Sequence, residues 1–332
     1  MKPSPVMYAL IVNDFQTALG KDNMQRKTFR TSDGAELSYI SAGSGQPIVM
    51  LHGWSQSAEQ FKYQIPVFAE HYQVIAVDLR GHGESEKVHF GYRISRLAQD
   101  IHELISTLKL QKPHLFGHSM GCSLIWSYLD LFGLDEIDRL VLVDQSPLVV
   151  SQSHWNAQEI AESGAVFTAE QLNAAVHTLE NGNAEELTRS LLTSMVTPAM
   201  SEEQFEWIVE CNQRLPRAIA ATLLYNHAHT DWRDQIVRIR KPTLVISGRK
   251  SIIPWRSQVW INQSIPDSEL EIFEADEGGG HFTFIENPEK FNRRVLQFLS
   301  RWRSLSFGES LAVNQERQTP GLDILITAST IA

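Results

Sequence analysis

The chain has 332 residues, 42% of them hydrophobic and 20% charged, enough to bury one large α/β core or two ordinary ones. A formal charge of −10 argues against general affinity for nucleic acid or for acidic membrane surfaces. Two cysteines, Cys122 and Cys211, are too few for a disulfide framework and are not at metal-ligand spacing, which fits a reduced, cytoplasmic compartment.

Residues 1–25 lack periodicity and read as an N-terminal arm. Their apolar run, cut by Asn13 and Asp14, is at the short end for a secretory signal. Neither that run nor the apolar tail from Leu322 approaches the length of a membrane span. Strands are expected at Lys27–Thr31 and Glu36–Ile40, joined by the turn Ser32-Asp33-Gly34. A buried-type strand follows at Ile48–Leu51 and ends in His52-Gly53-Trp54. A helix is expected around Glu59–Glu70, then a strand at Gln73–Asp78 and the glycine-punctuated loop Arg80–Ser85. Ile94, Leu97, Ile101, Leu104, Ile105 and Leu108 make one apolar helix face. The strand Pro113–Phe116 leads through Gly117-His118-Ser119-Met120-Gly121 into a helix from Cys122, and the strand Asp138–Val143 ends in Asp144-Gln145-Ser146-Pro147.

From Leu148 to Asp231 this alternation stops. The segment reads as several helices and is expected to form a cap over the carboxyl edge of a parallel sheet. The rhythm resumes at 232 with a strand before Gly248, a helix at Trp255–Gln263, a strand at Glu269–Phe273, the loop Ala275–His281 and a helix opening at Pro288. The expected organisation is therefore a core of residues 26–147 and 232–303, a cap of residues 148–231, and an extension of residues 304–332 with no evident role.

A serine between a strand and a helix, with glycines two places either side, sits on a turn tight enough to expose its hydroxyl. Such a hydroxyl needs a base, and the base needs an acid to orient it and stabilise its charged form. His281, in Gly278-Gly279-Gly280-His281-Phe282, is the histidine placed just past the last strand. Two backbone N–H groups must face the developing oxyanion. Met120, directly after the serine, and Trp54, after the third strand, are the candidates. His118 and Trp155 are candidate substrate contacts. His227-Ala228-His229-Thr230-Asp231 has the start of a zinc-site spacing without a further ligand cluster, Gly81-His82-Gly83 lacks the spacing of a phosphate loop, and Cys122 reads as a small buried hydrophobe. No metal or cofactor is expected, and nothing in the chain indicates its oligomeric state.

His52-Gly53-Trp54, the run Asp78–Ser85, Gly117–Gly121 and the run Gly280–Pro288 together resemble the α/β-hydrolase superfamily over about residues 27–303. The similar branch holds serine esterases, lactonases, so-called non-haem haloperoxidases and cofactor-free dioxygenases. The resemblance implies an eight-stranded, mostly parallel sheet flanked by helices, with Ser119 as nucleophile and His281 as base. It also carries one departure. Most relatives place the triad acid three residues past the glycine ending strand seven, where this chain has Ser251. Serine can neither hold a negative charge nor orient a histidine as well. A minority of relatives carry the acid after strand six, where this chain has Asp144; Asp276 and Glu277, close to His281, are the alternatives. The implied activity is hydrolysis of a carboxylic ester or lactone of a small, largely apolar molecule. Relatives that act on epoxides or haloalkanes use aspartate at the nucleophile position. Two other readings stay open: a cofactor-free dioxygenase or carbon–carbon bond-cleaving enzyme using the His-Asp pair as base, and a non-catalytic small-molecule binding protein.

Overall fold

The β-branched and apolar runs pair into one sheet of eight strands, in a computed structural model that describes residues 24–300. The strands are β1 (Met24–Arg30), β2 (Glu36–Ala42), β3 (Pro47–Leu51), β4 (Gln73–Val77), β5 (His114–His118), β6 (Leu140–Val143), β7 (Thr243–Gly248) and β8 (Ser268–Phe273). Their order is β1-β2-β4-β3-β5-β6-β7-β8. β1 with β2 and β2 with β4 are antiparallel, and every later neighbour is parallel. Every residue of β3 and β5 is buried, as parallel strands covered on both faces require. Successive residues feed opposite layers. Val49 and Leu51 join the cluster holding Leu97, Ile101 and Leu124, whereas Ile48 and Met50 join Phe61, Phe116 and Phe291.

The helices on these faces are α1 (Ile65–Ala69), α2 (Ile94–Thr107) and α3 (Met120–Phe132) before the break in rhythm. Between β6 and β7 come α4 (Ala157–Ser163), α5 (Ala169–Asn181), α6 (Ala184–Thr193), α7 (Glu202–Gln213), α8 (Arg217–Ala228) and α9 (Arg233–Ile236). The chain then supplies α10 (Trp255–Ser264), α11 (Thr283–Glu286) and α12 (Pro288–Ser300). Segment 148–231 carries a small core of its own in which Val149, Leu172, Leu179, Ala221 and Leu224 pack together. Capping boxes open three of its helices, pairing Asn156 with Glu159, Thr168 with Gln171 and Ser201 with Gln204.

Two expected boundaries shift. Met24 and Gln25 belong to β1, where they pair with Ala42 and Ser41, so the arm does not include them. The remainder of the arm and the extension 304–332 lie outside the described residues. The single helix expected around Glu59–Glu70 is instead a short 3-10 turn at Ala58–Phe61 followed by α1. Pro66 stands in the first turn of α1, where its missing N–H is tolerated, and it would break a continuous helix. Among the described residues no helix is long and apolar enough to cross a membrane.

Candidate active site

Strand register brings the candidate residues together. His118 pairs with Val143, and Val143 with Ile246, so Ser119 and Asp144 leave the sheet side by side at its carboxyl edge. The Ser119 N–H donates to Val143 O at 2.8 Å and the Asp144 N–H to Ile246 O at 2.8 Å. Both residues then turn into positive φ, 52° at Ser119 and 54° at Asp144. The turn at Ser119 depends on close approach behind it: a Cβ on Gly121 would lie 2.2 Å from the carbonyl oxygen of Leu51.

Asp144 is fully buried and contacts His281, its Oδ2 lying 2.7 Å from His281 Nδ1. Its other oxygen accepts from Ser247 Oγ at 2.9 Å and from the Gly248 N–H at 3.4 Å. Ser251, the residue standing where most relatives carry the acid, donates its hydroxyl to Asp144 Oδ2 and lies 3.5 Å from His281 Nδ1. The serine therefore meets the same carboxylate–imidazole pair that its own position would have completed as an acid. The alternative carboxylates are engaged elsewhere. Asp276 is exposed, and Glu277 pairs with Lys290 at 2.7 Å.

His281 is held from three sides. Its N–H donates to Met195 O at 2.7 Å, and its carbonyl lies 3.0 Å from His118 Nε2. The adjacent Gly280 N–H donates to Glu286 Oε2 at 3.2 Å, and Glu286 also receives the Thr197 N–H and hydroxyl, each at 2.8 Å. The His118 ring packs at a tilt against His281, with ring centroids 4.6 Å apart. Burial, with His281 alongside, pushes the His118 imidazole well below the usual histidine range, so it stays neutral.

The loop after β3 is pinned by two neutral histidines. His52 Nε2 accepts the Leu79 N–H at 3.0 Å, and His82 Nε2 accepts the Ser55 N–H at 3.3 Å. Burial lowers His52 to about 4 and His82 well below its usual value. Asp78 accepts the Ala58 N–H at 2.7 Å and the Glu84 N–H at 3.1 Å. The run Asp78–Ser85 is thus a brace for the loop that carries Trp54, and His82 in its glycine-flanked centre faces the protein interior. Gly53 passes close to the tight strand-to-helix turn at Ser119, the elbow, where a Cβ on the glycine would lie 3.2 Å from Ser119 Cβ. Trp54 reaches away from the sheet and donates Nε1–H to Ala220 O on α8 at 2.9 Å. Met120 is the first residue of α3, a position whose N–H has no partner within the helix.

Two small cavities, of about 40 and 60 Å³, meet at a shared wall of Trp54, Ser119, Leu191, Met195 and His281. His118 lines the first. Trp155, expected as a substrate contact, lines neither cavity, and its half-buried ring is covered by the Arg233 guanidinium, 5.0 Å from the centroid. The His227–Asp231 spacing also comes apart. His227 is buried and lines the second cavity, His229 caps α8 and bonds the Tyr225 carbonyl at 2.9 Å, and Asp231 pairs with Arg233 at 2.6 Å. Among the described residues no group of three or more His, Cys, Asp or Glu could hold a metal ion. The Cys122 thiol is buried and donates to the Gly117 carbonyl at 3.1 Å, with burial raising it far above the range in which a thiolate forms. Sequence reasoning missed Gln145, whose Oε1 lies 3.5 Å from Ser119 Oγ. Its position beside Asp144 was the available signal.

Comparison with known proteins agrees with this architecture. A non-heme chloroperoxidase of Kitasatospora aureofaciens is 28% identical over 279 residues, covering 82% of this chain and 98% of the relative. A soluble epoxide hydrolase of a Corynebacterium species is 41% identical over a shorter stretch of 115 residues, 35% of this chain and 40% of the relative. An esterase of known structure from Exiguobacterium antarcticum superposes with a TM-score of 0.76 at 26% identity, over 82% of this chain and 99% of that one. Residues 46–288 match the family model described as the alpha/beta hydrolase fold. With the sheet order, the elbow and this match in agreement, the chain belongs to the α/β hydrolase family.

Proposed function

We propose that the protein is a serine hydrolase cleaving a carboxylic ester or lactone of a small, largely apolar molecule through an acyl-enzyme. Ser119 Oγ attacks the carbonyl carbon while His281 Nε2 takes its proton. The oxyanion receives hydrogen bonds from the Trp54 and Met120 N–H groups. The imidazolium then protonates the departing alkoxide, and water attacks the acyl ester with His281 again as base. Asp144 keeps the second proton on Nδ1 and stabilises the imidazolium. The observation that carries this reading is the 2.7 Å contact between Asp144 and His281, in a cavity wall shared with a serine at φ 52°. The esterase relative supports the same chemistry, and a serine at the elbow disfavours the epoxide-opening reaction named for the shorter match. The test is labelling by a fluorophosphonate and turnover of p-nitrophenyl acetate. Wild type should do both, and Ser119→Ala should lose labelling and about 10⁶-fold in kcat. A folded wild type that does neither overturns the reading.

One observation favours a second reading, in which the His-Asp pair deprotonates a substrate for oxygen or carbon–carbon chemistry and Ser119 only binds it. The hydrogen bond of Ser119 Oγ goes to Gln145 Oε1 at 3.5 Å. A serine hydroxyl whose proton is donated there can accept a hydrogen bond from a substrate hydroxyl while keeping its own proton. Oxygen uptake without added cofactor, retained in Ser119→Ala, would establish this alternative.

A further inference from the structure

The two cavities that meet at Ser119 differ in chemistry. Beyond the shared wall, one is lined by Val149, Val166, Phe167, Leu224 and Ile253. The other runs toward Gln56, Thr188 and Asn212, which are 2%, 1% and 2% exposed. Polar side chains buried this deeply keep their hydrogen-bonding capacity for a partner, and here the protein supplies only part of it.

Arg217, at the start of α8, sets which part is missing. Its Nη1 donates to Asn212 Oδ1 at 3.1 Å and to Thr188 Oγ1 at 3.4 Å. Its Nη2 donates to Ser55 Oγ at 2.9 Å and to the Asn212 and Leu215 carbonyls. A guanidinium has donors only, so Asn212 must present Oδ1 to it and turn Nδ2 the other way. Among the described residues no acceptor takes the Nδ2 protons, and the Thr188 hydroxyl, already accepting, keeps its own proton for another acceptor. Arg217 has no carboxylate partner among the described residues. Burial lowers it only to about 10, so it is charged at neutral pH. Two donors thus line this branch in front of a cation lacking a counter-ion. Gln56 adds an acceptor: its Nε2 donates to the Ile208 carbonyl at 3.3 Å, and its Oε1 has no partner.

We propose that the substrate has two unlike arms, and that the arm entering this branch carries a hydrogen-bond-accepting oxygen held by Asn212 and Thr188. The other arm is apolar. An amide fits the branch on both counts, with its carbonyl on Asn212 and Thr188 and its N–H on Gln56. A carboxylate uses the donors and the field of Arg217 alone. This rests on the serine-hydrolase reading, and Arg217 acts through Asn212 and Thr188 as a positioning residue.

The test uses the full chain and esters with arms of equal length ending in methyl, carboxamide or carboxylate, one series varied on the acyl side and one on the alcohol side. In one series the oxygen-ended arm should raise kcat/KM about tenfold or more over the methyl-ended arm. Asn212→Leu should bring that ratio to about one, and Thr188→Val should lower it in the same direction. Which of carboxamide and carboxylate is preferred tells whether Gln56 or Arg217 dominates. Methyl-ended turnover with no preference in either series overturns the proposal while leaving the serine-hydrolase reading intact. A preference that survives in Asn212→Leu overturns the assignment of the branch. Failure of fluorophosphonate labelling together with absence of all turnover overturns both.

Discussion

The sheet edge and the helical segment 148–231 contribute to the same cavity by different means. At the edge, position follows from backbone register: one ladder places Ser119 and Asp144 side by side, and the next puts Ser247 and Gly248 against the Asp144 carboxylate. The helical segment is joined to that edge and its loops by individual hydrogen bonds across long sequence separations. Among them are Trp54 Nε1 to Ala220 O at 2.9 Å, Ser55 Oγ to Asn212 O at 2.7 Å, and the His281 N–H to Met195 O at 2.7 Å. A ladder leaves little freedom in the reacting atoms, whereas separate side-chain ties can be changed one at a time, leaving the cavity wall open to variation without disturbing them. Changes at the edge are therefore expected to act on turnover, and changes in the helical segment on what is turned over.

The largest effect should come from Asp144→Asn. The amide has nearly the same shape, so the fold should survive, but it presents a donor or a weaker acceptor to His281 Nδ1 and favours the wrong tautomer. A loss of about 10⁴-fold in kcat is expected, with an unchanged melting temperature. A loss below about tenfold would transfer the acid's role to another carboxylate and break the link between register and chemistry.

Acid should weaken both regions through histidines buried in neutral form, of which His52 and His227 are one from each. Burial lowers His52 in the core and His227 in the helical segment to about 4. Each folded-state value lies below the ordinary 6.5, so the unfolded chain binds the proton first. The stability from these groups is complete above pH 6.5 and is lost as pH falls toward 4, by roughly 1.4 kcal/mol per pH unit for each histidine. Urea unfolding at pH 7 and pH 5 reads the slope. His227→Gln should reduce it by about one histidine's share, and an unchanged slope would mean that this site opens to water in the folded state.

A smaller effect separates the two kinds of support for Asp144. Ser251→Ala removes one donor from the carboxylate and leaves those from Ser247 and Gly248. Loss of one charge-assisted hydrogen bond from a group that still has others should lower kcat about tenfold with KM little altered. A loss as large as that of Asp144→Asn would make Ser251 a working member of the site in its own right.

The same contrast explains what could be read from the amino-acid order. Ser119 and its glycines are legible because the turn's demands are local: a tight strand-to-helix turn with no room for a Cβ at Gly121. The departure at Ser251 was visible because serine cannot carry the charge. That its hydroxyl would bond Asp144, 107 positions earlier, was not, since this contact depends on the register of β6 against β7. In the helical segment the boundaries were readable in principle from Asn156, Thr168 and Ser201 with their third-position partners, which satisfy helix N–H groups locally. Which helix face meets the cavity was not. Trp155 is aromatic and close to the right place in sequence, yet its ring is taken by Arg233, while Thr188 and Asn212 reach the cavity with no motif to mark them.

The smallest effect is expected on the outer side of the helical segment, where Arg189 on α6 and Glu206 on α7 form a two-pronged ion pair at 2.6 and 2.8 Å. The geometry is good, and each partner moves the other's titration in the stabilising direction, Arg189 up and Glu206 down. Both side chains are nonetheless exposed, by 43% and 50%, so water and salt screen the attraction. Glu206→Ala should cost less than about 1 kcal/mol, diminishing further in high salt. Neither residue lines the cavities, so turnover should stay at the wild-type level in the same sample. If kcat fell with so small a loss of stability, the movement of α6 against α7 would be reaching His281 through Met195, whose carbonyl follows α6 and accepts the His281 N–H. The helical segment would then tune the reacting atoms as well as the substrate, and the division between edge and segment would have to be redrawn at that one hydrogen bond.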